Sequence, residues 1–146
     1  MKLSTKSRYG LRILIQIATD NLYGKKLSQG KKIAERQGIS EPYLEQIMIP
    51  FKKSGFVSTV RGCNGGYELK KSSDEITVLD IIELFEGRIY LSECMGKSEG
   101  CNRESFCPTA DIWKELEEVF REKARSITLG SILEKYEKNL TPDYII

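Results

Sequence analysis

Ile33-Ala34-Glu35-Arg36-Gln37-Gly38-Ile39-Ser40-Glu41-Pro42-Tyr43-Leu44-Glu45-Gln46 is the stretch on which the fold turns. Gly38 ends one helix, because glycine takes positive φ without a Cβ penalty. Ser40 is placed to cap the next, and Pro42 sits in its first turn, where a missing N–H costs little. Upstream, Ser28 is the expected N-cap of a short helix running through Arg36, with Ile33 and Ala34 facing the core. Downstream, Tyr43, Leu44, Ile47, Met48 and Phe51 keep helical spacing as far as Ser54, and Gly55 ends the run. Pro50 removes one donor and bends the last turn. Two short helices joined by a tight glycine-bearing turn form a helix-turn-helix signature.

The flanking sequence completes a winged version of it. A first helix is expected from Thr5 to Asn21, with Leu11, Leu14, Ile15 and Ala18 at helical spacing. After the second short helix, Phe56-Val57-Ser58-Thr59-Val60-Arg61 alternates and is rich in β-branched residues. Gly62-Cys63-Asn64-Gly65-Gly66 and Tyr67-Glu68-Leu69 follow, so the segment reads as a β-hairpin with a glycine-rich tip. Thr77 caps a helix over 78–86, closed by Gly87. Residues 88–107 read as loop. A long helix spans about 109–125, with Ile112, Leu116, Val119, Phe120 and Ile127 as its apolar stripe and Trp113 at the edge. That stripe packs either against a second copy of the chain or against its own domain. Thr128 caps a last short helix, and 139–146 is a tail. The expected fold class is mainly α with a small β-hairpin wing. Its parts are a winged helix-turn-helix domain over 1–87, a cysteine-bearing loop over 88–108, and a dimerisation helix with C-terminal segment over 109–146.

Composition narrows the function. The 146 residues carry a net charge of +2, but the charge is split: residues 1–70 hold +8 and residues 71–146 hold −6. A basic front half suits a polyanion such as DNA, whose condensed counterions Lys and Arg displace. No apolar stretch approaches the roughly 20 residues of a membrane span, and the N-terminus has no secretory-type apolar region, so a cytoplasmic protein is expected. There is no histidine. That removes the commonest general base and metal ligand, and every Ser-His or Cys-His nucleophile pair. With no nucleotide or cofactor motif either, an iron–sulfur enzyme or electron carrier is disfavoured against a DNA-binding regulator.

Two groups of residues carry the chemistry. In the helix from Glu41, Glu45 can accept from a cytosine N4 and Gln46 can pair with an adenine edge, while Ser40 and Tyr43 can hold phosphates. Glu45 is otherwise a solvated helix residue. On the hairpin, Arg61 can enter the narrow minor groove, and Gly65 and Gly66 let the backbone approach phosphates closely, unless they serve only the turn. The second group is Cys94, Cys101 and Cys107, three thiols within one short loop containing glycine. Such thiols can hold an iron–sulfur cluster or zinc, act as redox thiols, or form no site; the paired Cys-x₂₋₄-Cys spacing usual for zinc is absent. Cys63, on the hairpin tip, reads as a small turn residue.

The wording of these motifs resembles the IscR/NsrR/CymR family of bacterial winged-helix repressors. The matching stretches are 1–10 (Met1-Lys2-Leu3-Ser4-Thr5-Lys6-Ser7-Arg8-Tyr9-Gly10), 33–40, Tyr43-Leu44-Glu45-Gln46, Val60-Arg61-Gly62, Gly65-Gly66-Tyr67 and Ile127-Thr128-Leu129. The resemblance covers essentially the whole chain. It implies a homodimer on a pseudo-palindromic operator in double-stranded DNA, with the helix at 109–125 joining the two copies. It implies that Glu45 and Arg61 read the major and minor grooves. It also implies that Cys94, Cys101 and Cys107 are ligands of an iron–sulfur cluster, [2Fe–2S] or [4Fe–4S], whose state sets DNA affinity. Two positions depart from the family pattern: Ala110 stands where one branch has a histidine ligand, and Arg8 where another has a carboxylate. The fourth ligand is thus open among Asp111, Glu104, water and a small external thiol. The alternative is a cluster-free regulator of the same fold, controlled by thiol oxidation or a protein partner.

Overall fold

A computed structural model describes residues 2–96 and 101–139. Six helices and one hairpin follow in order: α1 (Thr5–Leu22), α2 (Gly30–Gln37), α3 (Glu41–Lys53), β1 (Val57–Val60), β2 (Gly66–Leu69), α4 (Val78–Glu86), α5 (Ala110–Ser126) and α6 (Leu129–Asn139). The fold class is the expected one, mostly helical with a two-stranded antiparallel hairpin. Two 3₁₀ turns, Glu93–Met95 and Glu104–Phe106, lie between α4 and α5. Of the expected tail, residues 140–146 lie outside the described residues.

Most helix ends follow their local chemistry. Ser4 caps α1 by accepting from the Ser7 amide at 3.2 Å. Ser40 caps α3 by accepting from the Tyr43 amide at 3.2 Å. Thr77 and Asp80 form a reciprocal capping box on α4, and Thr128 and Ser131 exchange amide bonds of 3.1 Å at the start of α6. Such caps satisfy amides that have no partner inside the helix. Gly38 closes α2 in the left-handed conformation, φ 65°, which a Cβ would strain. Pro50 sits inside α3 without ending it, and the helix runs on to Lys53.

Ser28 does not cap α2. The cap position is Gln29, whose side chain makes no capping bond. Ser28 is drawn instead into a β-bridge with Tyr67, with N–H···O distances of 2.9 and 2.8 Å in the two directions. Its hydroxyl donates to Asp20 Oδ2 at 2.9 Å. A long-range pairing has outcompeted the local cap, because Ser28 would otherwise be a buried residue with unpaired backbone. α1 is also rotated relative to the sequence reading. Ile13, Leu14 and Ile17 are fully buried, whereas Leu11 and Ile15 only flank the core.

The core lies where α1, α2, α3 and the hairpin meet. Ile33 and Ala34 from α2 pack with Leu44, Ile47, Met48 and Phe51 from α3, and with Phe56, Val57 and Tyr67 from the hairpin. Phe51 meets Phe85 of α4 edge-on, with centroids 5.1 Å apart. Leu129, the first residue of α6, belongs to the same cluster. Backbone bonds from Val78 to Ile127 (2.8 Å) and from Leu129 to Ile76 (3.0 Å) pin the α5–α6 joint beside the start of α4.

α5 meets the rest of the chain through small and charged residues. Its buried residues are Ala110, Glu117 and Ala124. Glu117 pairs with Arg88 at 3.3 Å, and Arg121 pairs with Glu83 of α4. The large apolar residues face away from the domain: Ile112 is 50% exposed, Leu116 48% and Val119 62%. In the protomer, the stripe is therefore not covered by its own domain.

Candidate DNA-reading face and cysteine pocket

α3 divides cleanly into two faces. Leu44, Ile47, Met48 and Phe51 point into the core, which forces Glu45, Gln46 and Ile49 onto the opposite side, where all three are exposed. This is the geometric consequence of 3.6 residues per turn. Glu41 and Pro42 in the first turn are exposed too, so the N-terminal end of α3 is free to enter a groove. Ser40 is exposed, but its hydroxyl is already engaged as the cap. Tyr43 is half-buried, packed edge-on against Tyr9 with centroids 6.1 Å apart.

Ile49 was not singled out from sequence as a surface residue. It is 45% exposed, one turn beyond Glu45 and Gln46. The signal was present: Ile49 falls outside the spacing set by residues 44, 47, 48 and 51. An apolar side chain on a reading face can contact a thymine methyl.

The hairpin pairs Val57 with Leu69 through Val60 with Gly66, which leaves residues 61–65 as its tip. Arg61, Cys63 and Asn64 are exposed there. The two glycines have packing duties. A Cβ on Gly66 would stand 2.5 Å from the Ser28 carbonyl oxygen, and one on Gly65 would stand 2.0 Å from that of Val60. Gly66, the β2 residue next to the tip, is buried, and Gly65 is half-buried. The Ser28–Tyr67 bridge thus ties the start of β2 to the segment before α2. Asp20 anchors that segment further through Ser28, Arg36 (3.2 Å) and Lys25 (3.5 Å). Burial raises the Tyr67 phenol above its ordinary value, and the nearby charge of Glu45 adds to this. Lys31 and Lys32, in the first turn of α2, and Lys52 and Lys53, at the end of α3, are exposed.

The second constellation surrounds the start of α5. Cys94, Cys101 and Cys107, with Met95, Glu104, Thr109, Ala110 and Trp113, line one cavity of about 80 Å³. Three thiols from separate points of the loop therefore share one wall. Cys94 Sγ lies 2.8 Å from the Ser92 hydroxyl, and Cys107 Sγ lies 3.3 Å from that of Thr109. The Thr109 side chain, with the Thr109 and Ala110 amides at the α5 N-terminus, lowers the Cys107 thiol below its ordinary value. That favours the thiolate, the form that binds metals. Glu104 pairs with Lys114 at 2.8 Å. Asp111 is exposed and does not line the cavity. Among the described residues, no three His, Cys, Asp or Glu groups stand close enough to hold a single metal ion. Donors around a multi-iron core sit further apart than donors around one ion, and thiolates are the usual ligands of such cores. The donor chemistry, three thiols with one carboxylate beside them, fits an iron–sulfur group better than a lone cation. No described helix is long and apolar enough to cross a membrane.

The chain matches relatives over nearly its whole length. The Rrf2 family profile, described as an iron-dependent transcriptional regulator, matches residues 3–135. The HTH-type transcriptional regulator CymR of Bacillus subtilis (strain 168) is 38% identical over 132 residues, covering 90% of this chain and 89% of the relative. The HTH-type transcriptional regulator IscR of Klebsiella pneumoniae (strain 342) is 35% identical over 137 residues, covering 94% of this chain and 82% of the relative. Among solved structures, T. potens IscR superposes with a TM-score of 0.76 at 35% identity, covering 97% of this chain and 92% of that one. The resemblance read from the motifs holds, and the function follows from it: a regulator of transcription rather than an enzyme. A helix-turn-helix with a hairpin wing, an exposed reading helix and these relatives together establish that the chain belongs to the Rrf2 family of winged-helix transcriptional regulators.

Proposed function

We propose that this regulator is a cytoplasmic homodimeric repressor that binds a pseudo-palindromic operator and tunes its affinity through an iron–sulfur cluster held by Cys94, Cys101 and Cys107. The observation that carries the cluster reading is the single cavity lined by all three thiols. When bound, such a cluster supplies a redox-active, oxygen- and nitric-oxide-sensitive group. The protein's own residues do the rest. Thr109 and the α5 N-terminus favour the Cys107 thiolate. α5 carries the pocket wall Ala110 and Trp113 at one end and meets α4 through Arg121 and Glu83 further along. A change at the pocket would then reach the DNA-binding half through α4.

DNA recognition is assigned to α3 and the hairpin tip. Glu45 and Gln46 read base edges in the major groove, and Ile49 offers an apolar contact on the same face. Tyr43 holds phosphate, with Ser40 orienting the helix end through its cap. Arg61 enters the minor groove from a tip whose bend depends on Gly65 and Gly66. The exposed stripe of Ile112, Leu116 and Val119 is covered by the same stripe of a second copy. Two half-sites are then bound together, and linkage multiplies their affinities.

The test is anaerobic reconstitution with iron and sulfide, followed by visible absorption and analysis of iron and acid-labile sulfide. Wild type is expected to bind both, and Cys94→Ala, Cys101→Ala and Cys107→Ala to bind neither, with Cys63→Ala unchanged. A wild-type protein that binds no sulfide sinks the cluster reading. The second reading is a cluster-free regulator controlled by thiol oxidation or a partner protein. It is favoured by the similarity to CymR.

A further inference from the structure

We propose that Glu104 is the fourth donor of the iron–sulfur site, its carboxylate completing the set begun by Cys94, Cys101 and Cys107. This rests on the cluster reading above. At the family position where a histidine would stand, Ala110 brings only a methyl group to the cavity wall. Three described carboxylates lie near the pocket, Glu93, Glu104 and Asp111, all exposed, and of these Glu104 alone lines it.

The backbone holds Glu104 between two of the thiols. Its amide donates to the Cys101 carbonyl at 2.9 Å, and the Cys107 amide donates to its carbonyl at 3.4 Å. The 3₁₀ turn at Glu104–Phe106 thus keeps the carboxylate in register with both cysteines. Lys114, one turn into α5, holds Oε1 at 2.8 Å. That leaves the second oxygen for a metal, and ligating carboxylates are commonly oriented by such a hydrogen bond. Met95 is the competing donor on the same wall. Its thioether is neutral and soft, suited to Cu(I), whereas a carboxylate is a hard anion that suits oxidised iron.

The experiment compares full-length wild type with Glu104→Gln, Glu104→Cys, Lys114→Met, Met95→Leu and Asp111→Asn after anaerobic reconstitution. The readouts are iron and sulfide per chain, visible circular dichroism, reduction potential and cluster lifetime in air. Helical content by far-ultraviolet circular dichroism reports folding. Glu104→Gln should lose its cluster faster than wild type by more than the roughly tenfold that loss of an outer-shell partner alone costs. Glu104→Cys should retain the cluster with a shifted, all-thiolate spectrum and a changed potential. Met95→Leu and Asp111→Asn should match wild type. Lys114→Met leaves the carboxylate but removes the bond that orients it, and should keep the wild-type spectrum while losing its cluster faster than wild type but more slowly than Glu104→Gln. The proposal is overturned if both Glu104 variants match wild type in spectrum and lifetime. It is also overturned if Lys114→Met loses its cluster as fast as Glu104→Gln, which would assign Glu104 to the ion pair alone. A dependence on Met95 or Asp111 instead would move the fourth donor there. Absence of sulfide from wild type is a different failure, that of the cluster reading itself.

Discussion

At the residue scale, position on the fold decides which polar side chains can act. Arg61 stands exposed immediately after β1, at the edge of a tip with no core beneath it. Arg61→Ala should leave the melting temperature unchanged and weaken operator binding by about 1–3 kcal/mol, read in a gel-shift titration at fixed salt. Unchanged affinity would take the hairpin out of recognition. Glu86 makes a different kind of contribution. Its carboxylate accepts from the hydroxyl of Ser7 and from the Ser4 amide at 2.8 Å, joining the end of α4 to the start of α1. These bonds, led by that of Ser7, lower its carboxyl below the ordinary range. A lowered value in the folded state contributes stability that is present above the unfolded value and lost as pH falls through the folded one. Glu86→Gln should therefore be less stable than wild type at neutral pH, with the gap closing in acid below the ordinary carboxylate range. Urea denaturation across pH 3–7 (a span of about four units) checks the sign; a gap that widens in acid would contradict it.

At the scale of the element, α5 is the informative case. Its periodicity predicts an apolar stripe, and the stripe exists, but it faces outward from the protomer, while Ala110, Glu117 and Ala124 face in. A helix that gives its own domain small and ion-paired residues keeps its large apolar ones for something else. Leu116 is already half-exposed, so a charge there costs the lone protomer little. Across an interface the same charge would be buried without a partner, at a cost of several kcal/mol. Leu116→Glu should thus keep its helical signal, sediment as a monomer, and lose operator affinity. A dimer that persists would put the contact on another face. α2 makes the complementary point. Its C-terminus was legible in Gly38, but its N-terminus was not, because Ser28 is committed to a strand partner almost 40 residues away in sequence, a pairing no local pattern announces.

At the scale of the molecule, the core binds first half and last helix into one unit. Leu129, at the start of α6, is fully buried in the cluster that supports α3. Leu129→Ala should cost about 2–5 kcal/mol and lower a single thermal transition. Two separate transitions in wild type would mean that α5 and α6 fold independently of the winged half. The same connectedness gives the cysteine pocket its position. It lies at the N-terminal end of α5, whose inner face is locked to α4 by Arg121–Glu83 and Arg88–Glu117, and α4 in turn meets α1 through Glu86.

What could be read from the amino acids alone is what local chemistry controls. Caps at Ser40, Thr77 and Thr128, the left-handed turn at Gly38, the inward stripe of α3 and the β-branched first strand of the hairpin all follow from residues within a turn or two of one another. Together they suffice for the winged helix-turn-helix. Three features needed the folded chain, because each depends on partners distant in sequence. Ser28 pairs with Tyr67, the apolar stripe of α5 turns away from its own domain, and Glu104 rather than Asp111 joins three thiols around one cavity. Spacing can bring candidate donors into one loop, but only packing against α5 selects which of them share a wall.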